Sequence, residues 1–243
     1  MPFTFAHPAI ILPLNYLSKK WVSLTGLVIG SLTPDFEYFL RMKIESYYSH
    51  TLLGILYFDL PLAILLTFIY HNFVKTELFK NLPQELNLRF VNAEKLNWNT
   101  YFTENWKIVI VSIIIGIASH ISWDGFTHEN GFFVNIFSEL KNEIQIFGKG
   151  IKVYKILQHL STLIGAVVIA IVIYQLPKTE NKIAEINLKY WLIIFAITFL
   201  IFTLTILINE NATKIGNIIV SLISAGMIGL ILTPVIINKK NGS

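Results

Sequence analysis

Residues 108–128 read IVIVSIIIGIASHISWDGFTH, and this stretch decides both the fold class and the chemistry. Its first half, Ile108 to Ala118, is apolar enough to form a buried or membrane-spanning helix. Its second half brings three metal-ligand side chains at four-residue steps, His120, Asp124 and His128. Residues four apart on a helix share one face, about a turn from each other. Imidazole and carboxylate groups so placed can chelate one ion or share two. Gly125 leaves open whether His128 continues the same helix.

The rest of the chain resembles this stretch in character. Of 243 residues 54% are hydrophobic and only 14% charged, with a mean hydropathy of +0.60; soluble domains carry about a quarter charged residues. Runs over residues 52–70, 107–123, 156–176, 190–208 and 215–237 approach the ~20 apolar residues that cross a bilayer. Two shorter segments, 8–17 and 21–32, are expected as a helical hairpin with Lys19-Lys20 at its tip, and Gly26 and Gly30 allow close helix packing there. The expected fold is therefore an all-α, polytopic membrane helical bundle of about five full spans plus that hairpin. It is read as one continuous membrane domain: residues 1–176 carry the candidate site and residues 177–243 add two C-terminal spans. In the last span Ser221, Ala225 and Gly229 form a small-residue stripe suited to helix packing, and self-association through the C-terminal helices is an open option.

Composition also excludes several function classes. Cysteine is absent, which removes disulfides, thiolate metal sites and cysteine nucleophiles. The net charge of +4 comes from Lys and Arg scattered through loops, a pattern that reports membrane topology and not nucleic-acid binding. The start, Met1 to His7, lacks a basic segment and does not read as a cleaved signal peptide. Residues 72–105 are expected as short amphipathic or irregular structure at a membrane surface, and residues 125–155 as a loop.

Counting spans decides which residues can meet. His50 precedes the first full span, and the second returns to the same side at His120 and Asp124. The loop after it holds His128, and His159 opens the next span on that side. The N-terminal hairpin adds His7 and Asp35, whereas His71 falls opposite and is expected to pack structurally. Of the 19 Lys and Arg residues, the larger share falls on the side away from this cluster. Positive loops stay cytoplasmic, so the site is expected on the extracytoplasmic face of the membrane, with the C-terminus cytoplasmic.

Such a cluster suits a divalent metal, zinc above all, in one ion or a pair. Two ions about 3.5–4 Å apart activate water and stabilise a departing oxygen, which matches phosphoester hydrolysis. At a bilayer surface the natural partners are membrane lipids, and the substrate a lipid or small-molecule phosphoester, with Arg41, Lys149, Lys152 and Lys155 to attract phosphate. Glu37 and Glu129 are candidate extra ligands or a general base. Asp59 lies inside an apolar span, where an acid is expensive and by default functional; bonding backbone freed by Pro61 is an equal reading. A metal- or proton-handling transporter and a non-enzymatic assembly protein are the alternatives to a hydrolase.

A family resemblance rests on Phe3-Thr4-Phe5-Ala6-His7-Pro8, Gly30-Ser31-Leu32-Thr33-Pro34-Asp35-Phe36-Glu37-Tyr38, Ser49-His50-Thr51, Phe58-Asp59-Leu60-Pro61, and His120, Asp124 and His128. Over about residues 2–165 these resemble bacterial membrane proteins grouped as domain of unknown function 4184. More remotely the order is similar to membrane-bound metal-dependent hydrolases and to the helical zinc-dependent phospholipase C and P1 nuclease group. The remote resemblance implies one zinc held by Asp35, His50, His120 and Asp124. Asp124 would bridge to a second zinc at His7, and His128 with His159 would hold a third. The chain departs from that pattern twice: six residues precede His7, and Thr162 and Leu163 stand where the group has a glutamate. Two ions are therefore expected in preference to three.

Overall fold

The computed structural model describes residues 4–18, 20–179, 186–208 and 214–240, the last three without their side chains. Lys19, Lys182 and the opening Met1–Phe3 lie outside the described residues. The fold is essentially all-α, with 79% of the described residues helical. Among the described residues five helices are long and apolar enough to cross a membrane: Leu52–Lys80, Trp98–Ile136, Val153–Gln175, Leu188–Ile208 and Ile215–Ile237. This is compatible with an integral membrane protein.

The principal helices are named in order: α1 (Leu24–Leu32), α2 (Leu52–Lys80), α3 (Gln84–Glu94), α4 (Trp98–Thr127), α5 (Val153–Gln175), α6 (Leu188–Ile208) and α7 (Ile215–Lys240). The chain divides into two compact, interleaved units. The first comprises Met1–Pro34, Ser49–Ile64 and Asn105–Gln175, and the second Asp35–Tyr48, Leu65–Glu104 and Leu176–Ser243.

In the first unit, Ser23 starts α1 by accepting the Gly26 N–H on its side chain (3.3 Å), a hydroxyl N-cap that satisfies one orphan donor. The helix then crosses α4 backbone to backbone. A Cβ built on Gly30 would lie 2.3 Å from the Ile113 carbonyl oxygen, and one on Gly116 2.4 Å from the Leu27 carbonyl oxygen. Ser23 N–H also donates to Ser112 Oγ across this crossing (2.8 Å). The expected close packing at Gly26 and Gly30 is thus present, with α4 as the partner. Of the two expected N-terminal helices, the second is present as α1, whereas the first is a short helix Pro8–Ile11 followed by a 3-10 turn Leu12–Tyr16.

Thr51 caps α2 by accepting the Gly54 N–H (2.9 Å). Pro61 has no N–H to return to the preceding turn, and the helix widens there into a π turn, Ile55–Asp59, closed by Leu60 N–H to Ile55. Helix α4 is longer than the apolar run alone predicts; polar residues such as Thr100 and Glu104 conceal its first turns. It bends at Asn105, whose φ of −126° is not helical. The expected loop 125–155 contains a two-stranded antiparallel hairpin, β1 (Glu143–Ile146) and β2 (Lys149–Lys152).

In the second unit α6 and α7 pair, with Gly229 against the Ile194 backbone. Of the expected small-residue stripe on α7, Ser221 meets the segment Phe39–Ile44 together with the neighbouring Ser224 and Asn217. Ser224 Oγ donates to the Phe39 carbonyl (2.8 Å), Ser221 Oγ to the Met42 carbonyl (3.0 Å), and Ile44 N–H to Asn217 (2.9 Å). Buried Lys75 donates to the Ala93, Glu94 and Leu96 carbonyls that end α3, a cation at a helix C-terminus. His71 stacks on Trp98 at 4.5 Å, in keeping with the structural role expected of it.

Candidate metal centre

The centre is built outward from α4. His120 is fully buried, and its Nδ1 lies 2.7 Å from the Ser31 carbonyl oxygen of α1. A carbonyl only accepts, so Nδ1 carries the proton and Nε2 presents its lone pair. That arrangement, an imidazole oriented by a backbone carbonyl behind it, is the usual support of a metal-binding histidine. The backbone contact at Gly30 is what brings Ser31 this near.

One turn on, Asp124 is 7% exposed, and its two oxygens face different partners. Oδ2 lies 3.4 Å from His120 Nε2 and 3.5 Å from His50 Nε2. Oδ1 lies 3.6 Å from His7 Nε2 and 3.6 Å from His128 Nδ1. His7 also stacks on His120, ring centroids 3.7 Å apart. His50 reaches the centre from a left-handed backbone, φ +63°, a conformation a non-glycine residue adopts only where its surroundings hold it. Ser49 Oγ lies 3.0 Å from His50 Nδ1, leaving Nε2 to face Asp124.

Asp35 comes from the 3-10 turn Thr33–Asp35 directly after α1, which leads into the short helix Phe36–Arg41. One ligand atom from each of Asp35, His50, His120 and Asp124 lies within 4.8 Å of all the others. Separations of 3.4–3.5 Å are longer than the ~2.7–3.2 Å of a hydrogen bond. They fit the ~3.3 Å edge between two ligands of a tetrahedral ion bound at ~2.0–2.1 Å. A carboxylate this deeply buried also needs compensating charge, which neutral imidazoles do not supply and a cation does. The donor set of nitrogen and oxygen without sulfur therefore fits a divalent metal.

The remaining candidates stand as follows. His128 continues the face of α4, its backbone N–H bonded to the Asp124 carbonyl (3.1 Å). Its Nδ1 lies 3.0 Å from that same carbonyl and is therefore the protonated nitrogen. His159 lies exposed on α5 and is not among the four residues that converge. Asp59 is fully buried in the π turn of α2. Glu37, 1% exposed, has both oxygens engaged by its own loop. Oε1 accepts from Arg41 (2.9 Å) and Tyr47 N–H (3.0 Å), and Oε2 from Ser46 Oγ (3.1 Å) and Tyr48 N–H (2.9 Å). These bonds give Glu37 the task of holding the segment Ser46–Tyr48. Glu129 pairs with Lys152 (3.1 Å), and that hydrogen bond raises the lysine above its ordinary pKa. The Ser31 carbonyl and Ser49 hydroxyl escape sequence reasoning, since neither residue type signals a backbone acceptor or a ring contact.

No curated protein and no solved structure matches the chain. A family model covering residues 1–235 does match, and the chain belongs to that family, the domain of unknown function DUF4184.

Proposed function

We propose that the chain is a membrane-embedded, metal-dependent hydrolase acting on a phosphoester, with a phospholipid or its headgroup as the natural form of substrate. The observation that carries this reading is the divided carboxylate of Asp124, each oxygen 3.4–3.6 Å from two imidazoles. That division suits two ions, preferably zinc: one at Asp35, His50, His120 and Asp124, the other at His7 and the second Asp124 oxygen. Such ions supply Lewis-acid activation of water and charge compensation for a departing oxygen.

The chain's own groups do the positioning. Ser31 holds His120 in one tautomer and Ser49 orients His50. The burial of Asp35, His120 and Asp124 keeps bulk water from competing for their charges. Lys149 is an exposed cation that can draw a phosphate toward this face. The inner membrane is the proposed location, with the site extracytoplasmic and the C-terminus cytoplasmic, on the charge balance of the loops.

Metal analysis of protein purified without chelators tests the reading. The wild type is expected to carry close to two zinc equivalents, and His120→Ala and Asp124→Ala to lose them together with hydrolysis of phosphodiester vesicle lipids. Metal-free wild-type protein overturns it. A second reading has one observation behind it, the burial of Asp59 within the π turn of a span, since π turns recur at functional sites. Metal or proton transport predicts that Asp59→Asn abolishes flux in proteoliposomes while hydrolysis survives.

A further inference from the structure

The hairpin between α4 and α5 has a tip that its own fold does not explain. Ile146 pairs with Lys149, so Phe147 and Gly148 alone make the turn. Both have positive φ, +50° and +76°, the pattern in which Asn-Gly is favoured. Glycine adopts it without strain, whereas a bulky phenylalanine does not. Phe147 is also fully exposed, at 102% of its reference area, the highest value among the exposed large hydrophobic residues described. The ring therefore gains neither packing nor backbone comfort inside the fold.

Its neighbours indicate what the ring meets. Over residues 139–155, Lys141, Lys149, Lys152 and Lys155 outnumber Glu139 and Glu143, with Lys152 paired to Glu129 from outside this stretch. Exposed apolar side chains continue from the tip down to the helix ends: Ile144 at 48%, Phe137 at 48%, Ile136 at 56% and Phe132 at 68%. The hairpin joins two consecutive apolar spans, Trp98–Ile136 and Val153–Gln175, so it leaves and re-enters at one membrane surface. An apolar tip beneath a collar of lysines is complementary to an anionic lipid leaflet, ring in the acyl boundary and ammonium groups at the headgroup phosphates.

We infer that the β1–β2 hairpin is a membrane-docking finger. Phe147 inserts into the anionic lipid surface beside the spans, and the flanking lysines hold headgroup phosphate. Docking of this kind does not rest on a bound metal. Asp124 lies at the end of α4 that leads into the hairpin, so docking would hold that end of the helix at the headgroup level.

The absence of cysteine makes the test direct. Full-length Phe147→Cys carries an environment-sensitive NBD label in vesicles of phosphatidylcholine with or without phosphatidylglycerol. The expected result with phosphatidylglycerol is blue-shifted emission, protection from aqueous dithionite and quenching by doxyl-labelled lipid. The shift should be reduced in phosphatidylcholine alone. Phe147→Asn, which suits the turn better, should keep thermal stability and metal content. It should also return a label on Lys149→Cys to aqueous emission. Aqueous emission at position 147 in both lipids overturns the proposal, and so does a shift that ignores lipid charge. Protection without doxyl quenching also overturns it, because a protein partner and not lipid would then cover the tip.

Discussion

Gly30→Ala adds one methyl group where α1 crosses α4, and the distances set how far the helices must part. The new Cβ would lie 2.3 Å from the Ile113 carbonyl oxygen and 2.9 Å from its Cα, whereas ordinary contact begins at 3.4 Å. Both obstacles are backbone, so no side-chain rotation relieves them, and a separation of about 1 Å is required, an overpacking that typically costs about 1–3 kcal/mol. The same movement carries the adjoining Ser31 carbonyl away from His120 Nδ1, which it meets at 2.7 Å, to a distance where the bond is lost. Loss of such a supporting partner lowers metal affinity about 10–100-fold, equivalent to about 1.4–2.7 kcal/mol. Gly226→Ala in α7 is the control, because a Cβ there meets nothing within 4 Å. It should be neutral or stabilising by up to about 1 kcal/mol, the helical preference for alanine over glycine. Competition with a chromophoric chelator and thermal unfolding in one detergent read both effects. Wild-type Tm and zinc affinity in Gly30→Ala would refute the close crossing. A lowered Tm with unchanged affinity would refute the link from Ser31 to the metal.

Other substitutions separate the parts of the centre. His7→Ala should lower the zinc content from two equivalents toward one, leaving the ion at Asp35, His50, His120 and Asp124, while His159→Ala should leave the content unchanged; elemental analysis per chain decides, and loss of all metal in His7→Ala counts against two separable ions. Glu37→Gln preserves shape but removes the charge that Arg41 and the Tyr47 and Tyr48 N–H groups face. It should destabilise by about 1.5–3 kcal/mol and raise hydrogen exchange across residues 46–48. Unchanged exchange there would show that the carboxylate does not hold the segment.

The firmest reading in the sequence was the pair one helical turn apart, His120 and Asp124, because helical period converts spacing directly into geometry. His7, His50 and Asp35 are far away in the chain, and only the side of the membrane to which each span returned could bring them near. That reasoning uses hydropathy alone and is insensitive to helix ends, which is why it tolerates an N-terminal segment partly in 3-10 form. The hairpin was hidden for a different reason. Four-residue strands carry little alternation, and a Phe-Gly turn lacks the Asn-Gly signal that marks a tight hairpin. The π turn at Asp59 and the left-handed backbone of His50 leave no periodic trace, since both are local departures imposed by tertiary contacts. Glu37 reads in the sequence as a candidate base or extra ligand, and the donors it accepts from Arg41 and Ser46–Tyr48 leave no periodic trace there.

His120 and His128 show how one device gives two results. Each imidazole has Nδ1 against a backbone carbonyl, Ser31 for His120 and Asp124 itself for His128, so in each ring Nε2 holds the lone pair. The His120 side chain is fully buried and its Nε2 faces Asp124, whereas the His128 side chain is one-third exposed, at 33%. The His120 acceptor belongs to another helix, so its ring orientation depends on the α1–α4 crossing. The His128 acceptor lies one turn back on its own helix and survives any movement of α1. Pushing α1 away should therefore disturb the ligand at His120 while leaving His128 in place, and this asymmetry identifies the glycine crossing as the element that preorganises the centre.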